Sequence, residues 1–145
     1  MTRLVADLLD INVWVAISNP KHSSFNVAVK YWRTQADENL VFCRVTALGF
    51  VRVSSQSRAF ADGAFSPQEA WTKYTAWIKS KGVTLQADPE NLDIYLGQWL
   101  ASGIVTNRIF MDAYLAAFAV AAGHRLVSFD NDFHRFEGLN FLHLE

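Results

Sequence analysis

A chain of 145 residues, 51% of them hydrophobic, carries enough apolar mass for one compact domain and too little for two ordinary ones. Its 13 Lys and Arg against 14 Asp and Glu leave a formal charge of -1, which excludes a protein that grips nucleic acid by bulk electrostatic attraction. One cysteine, Cys43, excludes an intramolecular disulfide or a cysteine-rich metal cluster and points to a reducing compartment, the cytoplasm.

The stretch Leu4 to Asp10 is apolar but broken by two acids and lacks a small-residue cleavage site, so it reads as a first strand over 4–9 and not as a signal peptide. No run approaches the roughly 20 apolar residues of a membrane-spanning helix. After a turn at Asp10, Val13 to Ile17 reads as a short buried helix ending at Asn19-Pro20. Ser23 or Ser24 caps a predicted helix over 25–36, in which Val27, Val29, Tyr31 and Trp32 supply apolar mass. Leu40 to Cys43 is a fully apolar second strand. From Val45 the spacing is mixed, and a helix is favoured because the segment follows a buried strand. Residues 57–66 form a loop. Ser66-Pro67-Gln68-Glu69 is a capping box with proline at the first helical position, and it predicts a helix over 67–79 with Ala70, Trp71, Tyr74, Trp77 and Ile78 on its apolar face. A small strand over 83–85 follows. A helix from Pro89 to about Ala101 comes next, with Leu92, Tyr95, Leu96, Trp99 and Leu100 as its buried stripe. Met111 to Ala122, apolar on every face and stopped by Gly123, is a buried helix. Arg125 to Phe129 is a strand ending in Asp130, and Phe141 to Leu144 is a last edge strand. Apolar strands alternating with helices make an α/β domain: a central, mainly parallel sheet with helices on both faces.

In open parallel sheets the functional crevice lies outside the C-terminal ends of the strands, so acids that directly follow apolar runs are the first candidates. Asp10 and Asp130 follow strands, and Asp112 sits in the first turn of the buried helix. Taken singly, each has an ordinary explanation, as a turn residue or a partner of the helix dipole. Together they repel unless they share a cation, and all-oxygen ligation suits Mg²⁺, with Mn²⁺ as the alternative. His22, His124, His134 and His143 share no zinc-site or base–nucleophile spacing, and Ser/His/Asp hydrolysis has no nucleophile-elbow motif to support it. A dehalogenase-like phosphatase requires a second acid where Asn12 stands, and a phospho-receiver requires a late lysine that does not follow Lys81.

Four segments in order, Leu8-Leu9-Asp10-Ile11-Asn12-Val13, Thr46 to Val53, Asp112 to Ala119, and Phe129-Asp130-Asn131-Asp132-Phe133, resemble the motifs of PIN-domain ribonucleases of the VapC toxin type. The resemblance spans residues 8 to 133 and implies a single PIN-like three-layer α/β/α domain over 1–145. It further implies a metal-dependent endoribonuclease acting as the toxin of a VapBC-type pair, a cognate antitoxin protein and a homodimer. Carried over by position, Asp10, Asp112 and Asp130 match the family acids that hold the metal and act in catalysis. Asn12 matches the polar residue supporting the first acid, and Asp132 is a further supporting acid. The family's usual Glu in the second motif is replaced by Gly49, which implies fewer metal ligands. A catalytically silent PIN-like module that binds RNA or an antitoxin-like protein is the alternative.

RNA must also be held. Arg44, Arg52 and Arg58 fall in an acid-free window over 39–61, and Arg108 precedes Asp112; Arg52 and Arg108 are the candidate phosphate contacts. The five tryptophans recur at helical positions, which predicts core or interface packing, and those on helices 25–36 and 67–79 suggest a groove for the antitoxin.

Overall fold

The computed structural model describes residues 5–56 and 63–145. The expected start of the first strand, most of the loop 57–66 and Arg58 lie outside the described residues. The strands are β1 (Asp7–Leu9), β2 (Leu40–Phe42), β3 (Val83–Leu85), β4 (Arg125–Ser128) and β5 (Phe141–His143). The helices are α1 (Ile11–Ser18), α2 (Phe25–Thr34), α3 (Arg44–Ser54), α4 (Pro67–Lys79), α5 (Leu92–Ser102) and α6 (Phe110–Ala122).

All strand pairings are parallel, in the order β3-β2-β1-β4-β5, with Leu8 opposite both Val41 and Leu126. Alternation along the strands divides the core. Leu8, Val41 and Leu126 face α5 and α6, whereas Leu9, Phe42 and Val127 face α1, α3 and α4. This is the three-layer α/β/α arrangement, with β5 at one edge and β3 at the other.

Local chemistry explains the secure elements. Ser66 Oγ accepts from the Glu69 N–H at 3.1 Å while the Glu69 carboxylate accepts from the Ser66 N–H at 2.9 Å, closing the capping box ahead of Pro67. The segment with mixed spacing is a helix, because Thr46 caps it reciprocally with Cys43. Several boundaries differ from expectation. Ser24 occupies the N-cap of α2 without a side-chain bond, and that helix stops at Thr34. The helix expected from Pro89 starts at Leu92, whose N–H bonds the Pro89 carbonyl in a preceding turn. Leu100, assigned to the buried stripe, is exposed, because α5 covers the sheet with a narrower face, and Trp71 on α4 is exposed as well, which leaves it available for interface packing.

Gly82 enters β3 at φ +84°, and a Cβ there would lie 2.3 Å from the Glu38 carbonyl oxygen. Gly82→Ala therefore combines left-handed strain with a backbone clash. We expect it to cost roughly 1–3 kcal/mol, read as a lower urea midpoint with an unchanged slope.

Candidate functional site

Chain connections leave β1 for β2 on one side, while β4 pairs on the other, so β1 and β4 flank the point where the strand order reverses. Such a switch point opens a crevice at the C-terminal strand ends. Asp10 and Asp130 stand there, and the N-terminal turn of α6 brings Asp112 to the same end.

Asp10 is buried at 8% exposure and is the N-cap of α1. One carboxylate oxygen accepts from the Ile11 N–H at 2.7 Å and the other from the Ser128 hydroxyl at 2.7 Å. Burial raises its pKa, the two hydrogen bonds pull it down, and the charge of Asp130 raises it again. Ser128 is the residue that sequence reading missed. Its hydroxyl donates to Asp10 and accepts from Asn12 Nδ2 at 3.2 Å and from the Asp130 N–H at 2.9 Å, which exhausts its hydrogen-bonding capacity. Asn12 Oδ1 also accepts from the Phe129 N–H at 3.3 Å, so Asn12 ties α1 to the end of β4.

Among the described residues, Asp112, Asp130 and Asp132 each bring one carboxylate oxygen to within 4.8 Å of the others. Asp10 is not in that group, although its charge is felt there. Burial pushes the Asp112 carboxyl up to about 6, with Asp10, Asp130 and Asp132 adding to the shift and Arg108 opposing it. Asp130 caps the 3₁₀ turn Asn131–Arg135 by accepting from the Asp132 N–H at 2.8 Å. Arg108 pairs with Asp132 at 3.2 Å, and this pair with Arg135 holds the Asp132 carboxyl below the usual range. Arg52 is exposed on α3, and among the described residues no contact places it against the acids.

The donor set is entirely carboxylate oxygen, and half-buried acids whose charges oppose one another are what a hard divalent cation relieves; the residues fit such an ion. Gly49 lies buried in α3 against α1, where a Cβ would stand 2.2 Å from Ile11 Cδ1. Ile11 thus fills the space a side chain at 49 would need.

His124, by contrast, is structural: its Nδ1 accepts from the Ala6 N–H at 3.1 Å and its Nε2 lies 2.7 Å from Gln86 Oε1. On the opposite layer Trp14 stacks on Phe42 at 3.8 Å, and Trp77 meets Trp14 edge-on. Trp77 donates to Ser18 Oγ at 2.8 Å and lines an open cavity of about 290 Å³ with Ile17, Lys73 and Ala76, and Trp32 and Trp71 are exposed on the neighbouring helices α2 and α4.

A parallel sheet in this order, with acids gathered at its switch point, defines a class, and the family model for the PIN domain matches residues 8–139; the chain belongs to the PIN-domain family. Within that family it is similar to two proteins of Mycobacterium tuberculosis. It is 32% identical over 125 residues to Ribonuclease VapC39, covering 85% of this chain and 87% of that one. To Ribonuclease VapC41 it is 29% identical over 140 residues, covering 91% and 94%. The solved structure of VapBC-1 from nontypeable Haemophilus influenzae shares the fold at a TM-score of 0.69 and 14% identity, covering 97% of this chain and 98% of that one. No helix among the described residues is long and apolar enough to cross a membrane.

Proposed function

We propose that the chain is a Mg²⁺-dependent endoribonuclease and the toxin of a VapBC-type pair, acting as one PIN-like domain over residues 1–145 in the cytoplasm. The observation that carries this reading is the cluster of Asp112, Asp130 and Asp132 beside Asp10 at the switch point of a PIN-family fold, with the Asp112 carboxyl pushed up to about 6 by burial and by its acidic neighbours. Asp10, Asp112 and Asp130 hold the cation, Mn²⁺ being the alternative ion, and Asp132 supports them. When bound, the cation polarises the scissile phosphate and lowers the pKa of a water. Ser128 and Asn12 fix the Asp10 carboxylate so that its orientation costs nothing at the moment of reaction. Arg108 and Arg52 contact RNA phosphates. The cavity beside Trp77 and the exposed Trp32 and Trp71 suit an apolar segment of the cognate antitoxin, and the toxin is a homodimer.

Calorimetric titration tests the site. Mg²⁺ or Mn²⁺ binds at pH 7.5, and affinity falls as pH drops through about 6, because Asp112 must give up its proton to ligate. Folded Asp10→Asn then cleaves RNA on the order of 10²–10³ more slowly than the parent, the scale of losing one principal electrostatic stabiliser. Equal cleavage rates overturn the reading. The absence of a carboxylate at Gly49 favours a second reading, a silent module that binds without cutting; metal binding without any cleavage selects it.

A further inference from the structure

Two guanidinium groups beside the acids both point at one carboxylate. Arg108 Nη1, from the 3₁₀ turn Asn107–Ile109 before α6, lies 3.2 Å from Asp132 Oδ2. Arg135, from the turn after β4, places Nη2 at 3.2 Å from Asp132 Oδ1 and donates Nε to the Asp132 carbonyl at 3.1 Å. Each oxygen of Asp132 thus serves one arginine, and the Arg108 side chain is 72% exposed. The same carboxylate belongs to the group of three that can ligate a cation. It is therefore claimed by two partners of opposite use.

We infer that Asp132 occupies the place of an RNA phosphate, and that Arg108 and Arg135 form a clamp for the phosphodiester next to the one being cut. This rests on the ribonuclease reading. A guanidinium N–H donates to a phosphate oxygen as it does to a carboxylate oxygen, so the single contact each arginine makes with Asp132 passes to a phosphate without rebuilding the clamp. The resting ion pairs are partly exposed and hence weak, so displacing Asp132 is cheap. Four carboxylates against two guanidinia keep the cleft negative, which repels a polyanion that finds no released arginine. Asp132 would turn from the arginines to a cation held with Asp112 and Asp130, which would couple metal loading to RNA capture and free the local positive charge that the overall charge of -1 does not supply.

Binding of a fluorescent single-stranded RNA oligonucleotide, followed by anisotropy in EDTA and in Ca²⁺, tests the clamp without turnover. Asp132→Asn is expected to tighten binding several-fold in EDTA. Arg108→Gln and Arg135→Gln each weaken it several-fold and flatten the dependence on salt by about one phosphate contact, while Arg135→Lys restores the salt dependence and only part of the affinity. Asp132→Asn binding no tighter than the parent, or Arg135→Gln keeping its affinity and salt slope, overturns the clamp. Parent protein that cleaves RNA alongside such variants shows that the clamp alone is wrong. Parent protein that neither binds nor cleaves RNA removes the ribonuclease reading and the clamp with it.

Discussion

Asp112→Asn is expected to abolish cleavage and, in the same sample, to make the metal-free protein more stable. The Asp112 carboxyl is pushed up to about 6, first by burial and then by Asp10, Asp130 and Asp132, so its charge is a cost of the folded state at pH 7. Between about pH 6 and the ordinary aspartate value near 3.8, the folded protein holds a proton that the unfolded chain has lost. Stability of the metal-free parent therefore rises as pH falls through that window, and the variant lacks this rise. A shift of this size, discounted for solvent screening and for the favourable end of the α6 dipole, is worth on the order of 1 kcal/mol, or about 3 °C in Tm. Saturating Mg²⁺ reverses the order, because only the parent gains the linkage of a bound ion. Thermal melts of both proteins at pH 7.5, in EDTA and in Mg²⁺, check the crossing. A variant that melts below the parent in EDTA would show that Asp112 is a structural acid.

The largest loss of stability is expected far from the acids. Asp7, 1% exposed at the start of β1, accepts two bonds from Arg125 at 2.9 and 2.8 Å, one from the Tyr31 hydroxyl at 2.5 Å and one from the Asp37 N–H at 3.1 Å. Arg125 also donates to the Gln35 carbonyl, so β1, β4 and the end of α2 meet at one fork. Arg125→Ala leaves a buried carboxylate without its counter-charge. The usual cost of that is about 3–5 kcal/mol, and the partial exposure of Arg125 places it near 3, a fall in Tm on the order of 10 °C. Asp7→Asn combined with Arg125→Met recovers part of the loss, since no charge is then stranded. The network lies at the N-terminal ends of the strands, so RNA cleavage per folded molecule at low temperature stays at the parent level. A Tm within 3 °C of the parent for Arg125→Ala contradicts this account.

These two residues also mark where sequence reading stops. The capping box at Ser66, the acid after each apolar run and the helix of small residues before Gly123 are local signals, and each element stands where it was expected. Asp10 and Asp112 were visible because a charge beside a fully apolar run demands an explanation. Ser128 was not, since a serine inside Leu-Val-Ser-Phe reads as an ordinary strand residue and its partner Asp10 is 118 positions away. The Asp7–Arg125 fork spans the same separation, and Asp7 registered only as an interruption in an apolar stretch. Leu100 failed for a different reason: helical spacing tells which residues share a face but not how wide a face the neighbouring layer covers. Asp132, read as a supporting acid, gained its place from a turn whose direction Asp130 sets through its own cap.

The contact between Ile11 and Gly49 bears on how such a chain could change over time. A glutamate introduced alone at 49 meets the Ile11 side chain and must drive it to another rotamer in a buried seam. A smaller residue introduced alone at 11 leaves an unfilled gap between α1 and α3. Packing at one position thus constrains the other, so the two positions are epistatic. Packing thus ties the residue at 49 to the one at 11, and a further carboxylate on α3 calls for a matching change on α1.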